Sequence, residues 1–121
     1  MGLTVGDKSV ILEPGQSHVL PPDNVHTFFN PNDFEMEFEV LFEPALNMEW
    51  FGRELIKANN QVHLPFFKFL QSEYILWKAR KEYRLASENF LRRNFYRALA
   101  VFLSKLLQMD KRVDLSGYRK I

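Results

Sequence analysis

An α+β fold, strands first and helices after, is what this sequence predicts, and three observations predict it. Up to residue 43 the apolar residues come in short β-branched and aromatic runs punctuated by Gly, Pro, Asn and Asp. Within that part, Phe34, Met36, Phe38, Val40 and Phe42 alternate with Glu35, Glu37 and Glu39, a period of two. Beyond Pro44 the apolar residues recur every three or four positions, the period of a helix. Several short strands at this spacing suggest a β-sandwich or barrel.

The elements follow in order. Residues 3–5 and 9–12 are expected to form a hairpin, because Gly6-Asp7 between them suits a tight reversal. Pro14-Gly15 is a turn, residues 18–20 a third strand, and Pro21-Pro22 fix φ just before a reversal at Asp23-Asn24. Residues 26–29 form the fourth strand, with His26, Phe28 and Asn30 on one face and the His26 imidazole turned inward. The turn "NPND" leads into a fifth strand over 34–42, one face buried and the acidic face outward. Asn47 can cap a helix that carries Trp50, Phe51, Leu55 and Ile56 and ends at Asn59-Asn60. Pro65 suits the first turn of a second helix to about residue 84, with Phe66, Phe69, Leu70, Tyr74 and Trp77 in one stripe. Ser87 is expected to cap a third helix over 88–109, whose apolar set (Phe90, Leu91, Phe95, Leu99, Phe102, Leu103, Leu106, Leu107) is wide. The basic tail from Asp110 is expected to be mobile.

Composition excludes several classes of function. The 121 residues include no Cys, which removes disulfides, thiolate metal sites and Cys nucleophiles and fits a reducing, cytoplasmic setting. No basic start followed by an apolar run marks a signal peptide, and no apolar stretch is long enough to span a bilayer. Twelve Phe residues are many for this length, and predict an aromatic core or apolar surface kept for a partner. Charge is divided: residues 1–47 hold one Lys against eight acids, a net of −7, and residues 48–121 hold fifteen Lys/Arg against seven acids, a net of +8. The halves can therefore attract one another within or between chains, or each can simply wear a solvated face.

The most telling stretch is "EPGQSHVLPPDNVHTFFN", where Gly15, Pro21, His26 and Asn30 stand in the spacing Gly-x5-Pro-x4-His-x3-Asn. This resembles the second conserved motif of the cupin superfamily, commonly Gly-x5-Pro-x-Gly-x2-His-x3-Asn, with Asp23 at the usual second Gly. Asp can serve that turn position. Residues 1–45 look like the second half of a small single-domain cupin, and the remainder is similar to a helical extension found on some of them. The resemblance implies an incomplete cupin-like jelly-roll sheet, or half-barrel, over residues 1–46, followed by about three helices over 47–121. Those helices are expected to pack on the sheet as one structural unit, or across a dimer. Cupins take three metal ligands from a first motif, His-x-His among them, and one His from the second. No His-x-His occurs here. The resemblance therefore implies that the chain begins just after the first motif and that His26 is a vestigial or incomplete metal ligand. A divalent transition metal is expected only if the site is completed by other residues or by a partner subunit. Otherwise no cofactor is expected. Phe28, Asn30, Phe38 and Val40 would line a pocket beside His26, with Gly15 and Pro21 as turn residues.

Each of these residues also has a plainer explanation. His26 serves equally as a core histidine bonded to backbone, Asn30 as a turn residue, and His18 and His63 as surface histidines. No serine stands in a glycine elbow and no Gly-rich loop follows a strand, so no nucleophile or phosphate loop is predicted. Arg92, Arg93, Arg97 and Lys105 beside the wide apolar stripe raise a membrane surface as an alternative, with nucleic acid less favoured for want of a motif. The expectation is a non-catalytic binding or interaction module that self-associates, as a homodimer, with a small-molecule ligand as a further candidate. The alternative is a metal-dependent cupin enzyme completed elsewhere.

Overall fold

The computed structural model describes residues 1–86 and 88–120, and it is α+β. The chain divides into two compact units, residues 1–40 and 41–121.

The first unit holds a three-stranded antiparallel sheet: β1 (Gly2–Val5), β2 (Lys8–Ile11) and β3 (His26–Phe29), in the order β2-β1-β3. Val5 pairs with Lys8 across Gly6-Asp7, and Gly6 has φ of +57°, so the expected two-residue hairpin forms with glycine where a left-handed conformation is required. Thr4 and Ser9 face each other and their hydroxyls lie 3.0 Å apart. On the other side of β1, Gly2 sits opposite Phe29, whose ring lies over the space a Cβ would fill, 2.3 Å from that position. The absent side chain is what lets the ring cover the strand. The turn chemistry is as expected: Gly15 has φ of +82°, and Asp23 has φ of +62° at the position where glycine is customary. Asn24 supports that reversal by donating its side-chain amide to the Pro22 carbonyl at 3.1 Å.

Two strands expected from the pattern do not form. Residues 18–20 and 34–42 join no ladder, and Phe34, Phe38, Val40, Leu41 and Phe42 are exposed. Alternation satisfies only one requirement of a strand. The backbone also needs a partner edge, and among the described residues β1 has both of its edges filled by β2 and β3. The sheet thus has three strands rather than about five.

The second unit is helical: α1 (Met48–Gln61), α2 (Pro65–Lys78) and α3 (Arg97–Leu106), with a π turn over Arg92–Tyr96 leading into α3 and a 3-10 turn over Met109–Arg112 after it. Its core is Trp50, Ala58, Tyr74, Ile75, Ala79, Val101 and Val113. Pro65 opens α2 as expected, since its missing N–H needs no partner there. The helix stops at Lys78 rather than near 84, and α1 runs through Asn59-Asn60 to Gln61. Ser87, the expected cap of the third helix, lies outside the described residues. Asn89 acts in that role, its Oδ1 accepting from the Arg92 amide at 2.7 Å. Asn94 then donates its side-chain amide to the Phe90 carbonyl, the acceptor its own backbone N–H would use, and the ladder widens to the π turn.

The tail is folded, not free. Trp50 Nε1 donates to the Asp114 carbonyl at 2.7 Å, Tyr118 lies 4.8 Å from the Trp50 ring, and Val113 is buried. Asn47 closes this junction. Its side chain makes no capping bond to α1; it donates to Glu82 and to the Arg119 carbonyl, and it accepts from the Arg119 amide at 2.7 Å.

Candidate functional site

The strand-and-turn unit places the cupin-like residues on and beside β3. His26 is exposed, not inward, and its Nδ1 lies 2.9 Å from the Asn24 carbonyl. A ring nitrogen held by local backbone is a turn device first, leaving Nε2 as the only free ligating atom. His26 and Phe28 pack edge to face at 5.8 Å, and Phe28 reaches Phe38 at 5.3 Å. Asn30 does what an asparagine in a turn does: it accepts from the Asn32 amide and donates to the Phe34 carbonyl. Phe28, Asn30, Phe38 and Val40 are all exposed, so the expected pocket does not close, because no fifth strand covers β3. A shallow hollow does lie here, bordered by Met36, Glu37, Phe38 and Glu39; of the four expected lining residues it includes Phe38 alone. Among the described residues no three of His, Cys, Asp and Glu gather as a metal-holding group.

The helical unit holds the larger feature. α3 buries Arg97, Ala100, Val101 and Ser104, a face that is small, polar or charged. Its larger apolar residues point the other way: Phe102 is 63% exposed and Leu106 66%, as is Phe95 of the preceding π turn at 61%, while Ser104 is at 0%. Leu91 and Leu99 share that exposed face. The wide stripe, for which the sequence left open the sheet, a second copy or a membrane surface, is on the outside of this unit. The physical reason is the buried Arg97. Its guanidinium donates to Glu73 of α2 at 2.9 Å and to Glu88, forming an ion-pair network that fixes which side of α3 meets α2. Burial works against the charge of Arg97, and the bonds to Glu88 and Glu73 outweigh it, so its pKa stands above the usual arginine value. Arg92 adds a second bond to Glu73 at 2.9 Å. Nothing in the hydrophobic spacing signalled this orientation; Glu73 with Arg97, a charge pair in two otherwise apolar stripes, was the only hint.

The helical unit thus carries an exposed apolar helix face, and the strand-and-turn unit, taken by itself, carries an exposed histidine on β3. No protein-family model, no curated protein and no solved structure matches this chain. Among the described residues no helix is long and apolar enough to cross a membrane.

Proposed function

We propose that this protein is a non-catalytic interaction module that self-associates through α3, its strand-and-turn unit a cupin-like remnant built around Gly15, Pro21, His26 and Asn30. The observation that carries the reading is the solvent exposure of Leu99, Phe102 and Leu106 on one face of α3, with Phe95 exposed in the π turn that leads into it. Within α3 the spacing of three and four residues is that of a coiled-coil seam, in which each side chain fits a hole on a facing helix. The seam holds no charge, since Arg93 and Lys105 stand off to its sides, and such a surface fits a second copy of itself. Leu91, Phe95, Leu99, Phe102 and Leu106, each roughly half to two-thirds exposed, would remove on the order of 1,000 Å² from water over two copies, the lower bound of specific association. A single chain seldom leaves this much contiguous apolar surface in water.

Light scattering on a sizing column tests the reading. The intact chain is expected to elute at twice its mass of 14.4 kDa, and Phe102→Glu at that mass, with unchanged helix content. A carboxylate in the seam should weaken association by about 100-fold or more. A monomeric intact chain overturns the proposal, and one that pellets instead with anionic vesicles assigns the same face to a membrane surface.

A further inference from the structure

We infer that the helical unit carries a binding site for a phosphoryl group, in the cationic cleft between the end of α2 and the start of the α3 segment. Trp77, Arg80, Arg84, Glu88, Arg93 and Arg97 line a cleft of about 190 Å³. Four guanidiniums face one carboxylate there, and that carboxylate is already taken by Arg97. The ion pairs among the described residues engage Arg53, Lys57, Arg92 and Arg97 and leave Arg84 and Arg93 unpaired. Both are exposed and line the same cleft, where a guanidinium fork can bind an oxyanion through two bonds.

The third wall is preset. Arg80 donates Nη1 to the Trp77 carbonyl at 2.6 Å, and its guanidinium carbon lies 4.6 Å from the centre of the Trp77 ring. The carbonyl bond and the contact with the ring together fix the Arg80 guanidinium at the wall of the cleft. Size selects the ligand class. The cleft is smaller than the 300–1,000 Å³ or so typical of cofactor-sized ligands, and it accommodates a headgroup. A guanidinium fork pairs with carboxylate and phosphate alike, and a tetrahedral phosphoryl group offers oxygens to more than one fork at once. The inference stands apart from self-association, which uses the opposite, charge-free side chains of α3.

Inorganic phosphate is the probe. In low-salt buffer its binding, followed by titration calorimetry, is expected to be saturable, to exceed that of chloride at matched ionic strength, and to weaken at least about tenfold in Arg84→Gln/Arg93→Gln. Lys111→Gln/Arg112→Gln removes the same charge elsewhere on the unit and should bind phosphate as the intact chain does. Equal loss in both double variants, or no saturable binding by the intact chain, overturns the inference. Sedimentation with phosphatidylcholine vesicles, with and without phosphatidic acid, then separates the sources. Capture by phosphatidic acid that free phosphate competes away identifies a lipid headgroup. Phosphate binding without vesicle capture identifies a soluble phosphate ester.

Discussion

Asn47 makes three side-chain hydrogen bonds while almost wholly buried, joining the start of α1 to Glu82 and to the backbone of Arg119. Asn47→Ala would strand a partly buried carboxylate and two backbone groups of the tail. Thermal or urea unfolding should therefore show a loss of about 2–4 kcal/mol, with the tail amides around Arg119 losing exchange protection first. Asn47→Asp is expected to be as damaging, since it sets a second carboxylate against Glu82. At this scale the sequence was informative where chemistry is local. Gly6, Gly15 and Asp23 all stand in the left-handed conformation that their turns demanded. It was right in position and incomplete in role at Asn47, which is the N-cap residue of α1 while its side chain bonds partners 35 and 72 residues away. His26 belongs with the local cases, its ring nitrogen held by the Asn24 carbonyl two residues back.

The elements differ in how far pattern alone could place them. Pro65 fixed the start of α2, and Gly6-Asp7 fixed the first hairpin, because both act within one turn. Residues 34–42 have the clearest alternation in the chain and still form no strand, since pairing depends on an edge that pattern cannot supply. For α3 the period was legible, and which face it buries was left open. The Glu73–Arg97 pair outweighs the apolar stripe and turns Phe95, Leu99, Phe102 and Leu106 outward. One consequence is a hydroxyl in the wrong place. Ser104 Oγ is buried with no hydrogen-bond partner among the described residues, so Ser104→Ala should raise stability, by up to about 1 kcal/mol in chemical unfolding. A loss of more than that would mean the hydroxyl has a partner after all.

For the whole molecule, alkali and self-association are the informative variables. Tyr74 and Tyr83 both have pKa values raised above the ordinary 10.0, in each case by burial first, with Asp110 and Tyr118 adding at Tyr74 and Glu82 at Tyr83. The unfolded chain releases these protons at about that ordinary value while the folded chain keeps them. Their contribution is thus full below pH 10.0 and lost as the pH rises through the higher folded values. Unfolding midpoints measured from pH 9 to 12 should fall across that window, and less steeply in Tyr83→Phe. The opposed charges of the two halves, −7 and +8, were legible from composition, as was an excess of phenylalanine that a chain of this size does not bury. What that surplus is for turns on α3. Because the chain has no cysteine, Leu99→Cys introduces a single thiol at the middle of the exposed seam, and Ile56→Cys introduces one on the exposed side of α1. If two copies pair through α3, mild oxidation should convert most of the Leu99→Cys protein to a covalent dimer and leave Ile56→Cys largely monomeric. Equal, slow crosslinking of the two variants would contradict pairing through that face.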